Sequence, residues 1–218
     1  MTPEIIPSIL VLTKEEFLKQ TRAVSGVVSM VQLDIADGQF VETTTWADPE
    51  VVEKELEVDC ELHLMVSDPL TEARKWEHVP QVKRVLVHYE SDPEHVGDII
   101  GQLRSYGWEV GVVINIETPI EAVDKLMNEI DSIQFMSVHP GKQKQPFLPE
   151  VLDRIRMFHE KYPGTPIAAD GGVNAETIPP LLKAGATRFG PGSAVFGHGD
   201  PAENVKKLQQ LLQTLTKT

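Results

Sequence analysis

The chain has 218 residues, of which 41% are apolar and 24% charged, the balance of an ordinary globular protein. Its 33 acidic and 20 basic residues leave a net charge of −13, which argues against nucleic acid and anionic membranes as partners, since both are polyanions. A phosphorylated small molecule stays open, because a nest of backbone amides binds phosphate even in an acidic protein.

The chain opens on Ile5-Ile6-Pro7-Ser8-Ile9-Leu10 with no charged leader or cleavable signal, so a soluble, cytoplasmic protein is expected. Residues 5–10 read as a first strand and 14–24 as a first helix. The alternation continues with strand 27–35 and helix 49–56, strand 60–66 and helix 69–78, strand 84–88 and helix 93–106. It closes with strand 110–114 and helix 119–127, strand 133–138 and helix 148–162, strand 167–169 and helix 175–184, and strand 187–190 and helix 201–215. Proline stands near the start of many of these helices, where the first turn accommodates it. Cys60, the only cysteine, lies inside the third strand and reads as a buried, inert thiol. No apolar stretch approaches the roughly 20 residues of a membrane span.

Eight strand–helix units with continuous apolar strands indicate a parallel sheet covered by helices. In so short a chain they point to an α/β protein with one (β/α)8 TIM barrel, a single domain over residues 1–218. A doubly wound open sheet is the alternative. The stretch Gly141-Lys142-Gln143-Lys144-Gln145 reads as a mobile loop.

Polar residues then stand out at strand ends. Side chains alternate along a strand, so Gln32, Asp34 and Ala36 share one face, as do His63 and Met65. Asp170 ends the seventh strand. If these point to the barrel mouth, two carboxylates and an imidazole converge, a plausible site for Zn2+, Mn2+ or Fe2+. Two carboxylates on opposite walls also move a proton from one face of a substrate carbon to the other. Asp37 before Gly38 reads as a turn. His88 ends the fourth strand and fits a pocket wall or a bonded core position equally well. His78, His95, His159 and His198 are expected at the surface, and Trp46, Trp76 and Trp108 in packing roles. Gly171-Gly172-Val173-Asn174 and Gly190-Pro191-Gly192-Ser193 follow strands seven and eight, where barrels build phosphate sites, with a short helix expected from Ser193.

The ordered segments Pro7 to Leu10, Asp37-Gly38-Gln39-Phe40-Val41, His63-Leu64-Met65, Asn115 through Pro119, Met136-Ser137-Val138 through Gly141, Gln145 with Phe147, Asp170 to Val173, and Gly192-Ser193-Ala194 resemble the ribulose-phosphate 3-epimerase family over nearly the whole length. The resemblance implies a (β/α)8 barrel that interconverts D-ribulose 5-phosphate and D-xylulose 5-phosphate or a related ketose phosphate. It implies Asp34 and Asp170 as the acid–base pair on opposite faces of C3. It also implies a divalent metal on Asp34, His63, Asp170 and a further histidine. Substrate contacts are implied at Ser8, His63, Met65, Met136, Gly141, Gly171, Gly172, Gly192 and Ser193, and a homo-oligomer is expected.

Three departures fall in the site. Gln32 replaces the other ligand histidine, Ala36 replaces a methionine, and Lys142 to Lys144 replace a glycine-rich turn. An amide oxygen is a neutral, harder ligand than imidazole, so a weakened transition-metal site is expected. The competing readings are a sugar-phosphate binding protein without catalysis, and a barrel enzyme for a different ketose phosphate with extra room at Ala36.

Overall fold

Residues 2–140 and 145–217 are described in the computed structural model, where they form one parallel sheet wrapped by helices. The lysine-bearing loop and Gly141 lie outside the described residues. The first strand is split in two, β1 (Glu4–Ile5) and β2 (Ser8–Ile9). Pro7 stands between them because it has no N–H to give a ladder. Its carbonyl accepts from the Gln32 amide at 3.0 Å, whereas Ile6 and Ser8 donate to Phe189 and Pro191 at 2.9 and 3.2 Å.

The elements that follow are α1 (Lys14–Val24), β3 (Met30–Ala36), α2 (Pro49–Glu55), β4 (Asp59–Met65), α3 (Pro69–Arg74), β5 (Val82–His88), α4 (Val96–Arg104) and β6 (Glu109–Ile114). After these come β7 (Ser132–Met136), α5 (Val151–Lys161), β8 (Ile167–Asp170), α6 (Ile178–Ala184), β9 (Arg188–Gly190), α7 (Ser193–Phe196) and α8 (Pro201–Thr216). Strand order is β1-β9-β8-β7-β6-β5-β4-β3-β2 with every pair parallel. Because β1 pairs with β9 and β2 with β3, residues 4–9 close the sheet on itself. The α/β barrel expected from the sequence is the fold observed.

Two expectations change. Residues 119–127 form a 3-10 helix over Ile120–Leu126 rather than an α-helix. The strands also do not read as continuously apolar once their faces are separated. Val31, Leu33 and Ile35 of β3 and Cys60, Leu62 and Leu64 of β4 pack under the helices, while Gln32, Asp34, Glu61 and His63 alternate with them and are equally buried. The main core therefore lies between sheet and helices. Inside the barrel only Leu86, Val113, Met136 and Val138 form an apolar cluster among the described residues.

The floor of the barrel, at the strand starts, is ionic. Arg84 pairs with buried Glu61 and donates from Nε to Glu109 at 2.9 Å; Arg188 donates to Glu4 at 3.1 Å. These are cross-strand neighbours in register, Glu61 beside Arg84, Arg84 beside Glu109, and Glu4 beside Arg188. Cys60 is fully buried, and burial pushes its thiol up, as expected for an inert group. Trp76 and Trp108 are buried, and Trp46 packs against Phe17. No helix among the described residues is long and apolar enough to cross a membrane.

Candidate active site

The register of neighbouring strands assembles the upper end of the barrel. Asp34 on β3 lies beside His63 on β4, Met136 on β7 beside Asp170 on β8, and Asp170 beside Gly190 on β9. Asp34, His63 and Asp170 thus come together from strands distant in the chain. The His63 Nδ1 lies 2.9 Å from Asp34 Oδ1 and 3.4 Å from Asp170 Oδ2. All three residues are buried.

Ser8, Met65 and Met136 line one cleft with this triad, together with Gly171, Gly172, Gly192 and Ser193. Gly171 and Gly172 have φ of 97° and 64°, a region that favours glycine, and a Cβ on Gly171 would collide with Val138. The Ser137 hydroxyl donates to the carbonyls of Asp170 and Gly171 at 2.8 and 2.6 Å and fixes the turn after β8. The Asn174 side chain accepts from the amides of Glu176 and Thr177, closing the far end of that loop. The expected short helix from Ser193 is α7.

The imidazoles form a chain. His63 Nε2 lies 2.9 Å from His88 Nε2, and His88 Nδ1 lies 3.3 Å from Glu90 Oε2. The other Glu90 oxygen accepts from the Asn115 amide at 2.8 Å and from the Thr118 hydroxyl. Burial disfavours a charged His63, but its bonds to Asp170 and Asp34 outweigh this and hold it at about 10. Burial pushes His88 down to about 4, against its bond to Glu90. One pattern satisfies every partner: His63 donates from Nδ1 to Asp34 and from Nε2 to a neutral His88, which donates to Glu90. Burial raises the Asp34 carboxyl above the ordinary range; the bond from His63 pulls it back, and the Asp170 charge adds to the rise.

His88 is fully buried with its ring 5.1 Å from His63 and 4.8 Å from Phe40. Of the two roles open for it, the bonded core position is the one observed. Asp37 is a turn residue outside the cleft: it accepts from the amides of Gln39, Phe40 and Ser67 and from the Ser67 hydroxyl. Slight burial pushes its carboxyl up, but these bonds prevail and hold it at about 2. Ala36 is 3% exposed, is not among the residues lining the cleft, and lies in register beside Met65, which is. Glu90 was not singled out from the sequence; its position two residues after His88 was the available signal.

Asp34, His63 and Asp170 each offer one ligand atom, and these atoms lie within 4.8 Å of one another, so together they could hold a metal ion. Gln32 complicates that centre. Its Nε2 donates to Asp34 Oδ1 and to Asp170 Oδ2, both at 2.9 Å, and lies 3.4 Å from His63 Nδ1. With Gln32 held this way, its N–H pair rather than a lone pair faces the point the three ligand atoms share, so the donor set does not fit an ion.

A model of the ribulose-phosphate 3 epimerase family matches residues 4–196. The ribulose-phosphate 3-epimerase of Mycobacterium bovis is 33% identical over 95% of this chain and 92% of its own length. That of Bacillus subtilis is 30% identical over 84% of this chain and 87% of its own. Among solved structures, KGPDC from Streptococcus mutans superposes with a TM-score of 0.75, covering 99% of each chain at 10% identity, which speaks to the fold alone.

Proposed function

The chain belongs to the ribulose-phosphate 3-epimerase family, and from that premise we propose that it interconverts D-ribulose 5-phosphate and D-xylulose 5-phosphate by moving the C3 proton between Asp34 and Asp170. The observation that carries this reading is the pair of buried carboxylates converging on one cleft from β3 and β8. The C3 proton is acidic because the C2 carbonyl takes the charge. One carboxylate removes it from one face, and the other carboxyl returns a proton to the opposite face. The raised Asp34 suits the group that carries the proton. The enediolate oxygens would meet the Ser8 hydroxyl and the positive field of His63, with Met65 and Met136 excluding water beside them. The phosphate would bind the amides of Gly171, Gly172, Gly192 and Ser193. A sulfate or pentose phosphate soak should place the anion there; density confined to other surfaces would remove that part of the reading.

A divalent ion (Zn2+, Mn2+ or Fe2+) would have to displace the Gln32 amide from Asp34, His63 and Asp170, so weak binding and slow turnover are expected. A cytoplasmic homo-oligomer of single-domain subunits completes the proposal. The test is deuterium incorporation at C3 of ribulose 5-phosphate in D2O, with a hexulose phosphate as control. Asp34→Asn and Asp170→Asn should each abolish exchange; exchange that survives Asp170→Asn removes the two-aspartate mechanism. The second reading, a sugar-phosphate binding protein, draws on the way Gln32 ties up an oxygen of each aspartate. Retained binding without exchange in either sugar would favour it.

A further inference from the structure

We infer that the Gln32 carboxamide organises the two aspartates in place of a cation, so that the acid–base site is assembled with no resident metal. The inference rests on the epimerase reading for its kinetic arm only. Two carboxylates this close and this buried repel one another and have lost most of their hydration, so N–H donors placed between them stabilise the pair. A primary amide nitrogen carries two hydrogens, and here it has one acceptor at 2.9 Å on each aspartate. Its fork therefore spans the gap between β3 and β8 with neither hydrogen unused.

Gln32 is itself fixed: it is 1% exposed, its backbone amide donates to Pro7, and it lies beside Ser8 and Glu61 in register. To admit a cation the carboxamide must turn and present Oε1. That turn gives up two bonds to charged acceptors, the stronger class of hydrogen bond. His63 resists as well, because the nitrogen a cation would take already faces Asp34 at 2.9 Å. Gln32 is thus a positioning residue, acting through Asp34 and Asp170.

The experiment strips the purified protein with a chelator, verifies metal content by elemental analysis, and measures C3 exchange with and without Mn2+. Mn2+ binding is followed separately by electron paramagnetic resonance for wild type, Gln32→His and Gln32→Glu. Wild type should keep its exchange when stripped and leave Mn2+ free in solution. Gln32→His should bind Mn2+ more tightly by about tenfold or more. Gln32→Glu, near in shape but without the N–H fork, should gain Mn2+ binding and lose metal-free kcat by about 100-fold while KM for ribulose 5-phosphate holds. Exchange lost on stripping and restored by Mn2+ overturns the inference, as does stoichiometric metal in the purified wild type or unchanged metal-free kcat in Gln32→Glu. No exchange in wild type under any condition would defeat the epimerase reading instead, and the Mn2+ measurements would still decide the role of Gln32.

Discussion

His63 and His88 share a hydrogen bond yet are pushed in opposite directions, and stability should register both. His88 titrates near 6.5 in an unfolded chain and at about 4 when folded. Between those values the unfolded chain binds more protons, so stability falls as pH drops from about 6.5 toward 4. His63 is raised to about 10, so its contribution is fully present below 6.5 and is lost as pH rises through 10. A thermal-unfolding series across pH should show both arms, and His88→Asn should flatten the acidic one; an unchanged acidic arm would assign it elsewhere. At this scale Asp34, His63 and Asp170 were legible, because a charged group at the end of an apolar run is conspicuous. Gln32 was legible only as a missing imidazole. That its nitrogen reaches Asp170, 138 positions away, depends on barrel curvature, which no local pattern encodes. Glu90 escaped for a similar reason: its partners His88, Asn115 and Thr118 meet only after β5 and β6 pair.

Among the elements, the Asp-Pro dipeptides carry the clearest instruction. At Asp48-Pro49, Asp68-Pro69 and Asp200-Pro201 the aspartate caps a helix whose first residue is the proline. Asp200→Ala should cost about 1 kcal/mol, read by urea denaturation, through loss of the 2.9 Å bond to the Glu203 amide. A change indistinguishable from zero would show that α8 is held by packing alone. The same signal misleads at Asp92-Pro93, where Asp92 bonds the His95 amide and ring and α4 begins only at Val96. The 3-10 helix had its own mark: buried Ile120, Val123 and Leu126 recur every three residues, the period of that helix rather than 3.6. Its length argued the other way, since such helices seldom exceed a few residues.

For the whole barrel, the interior divides into an ionic floor and an upper end that holds the candidate site. Arg84→Met leaves Glu61 without this partner at about 3% side-chain exposure and should destabilise the protein by about 3–5 kcal/mol. Replacing Glu61 by Leu in the same chain should recover much of that loss; if the double variant is no better, the floor acts as more than a charge pair. The eight-fold alternation was readable because each strand and helix carries its own period. The division of the interior was not, since charges inside a strand look alike whichever end of the barrel they occupy.

The split first strand ties these levels to the order of synthesis. Ser8 stands in the cleft, its amide bonded to Pro191 in the turn that leads to Ser193, and β1 waits for β9, more than 180 residues later. A growing chain can stack its strands one after another, but the first has only one neighbour until the last emerges. Closure of the wall and delivery of the Gly192–Ser193 turn to the cleft are therefore one event. A ribosome-bound chain stalled before Arg188 would hold both aspartates yet lack the ring that brings Ser8 and the Gly192–Ser193 turn together. Such a chain should complete its site in a single step once β9 and the turn after it have emerged.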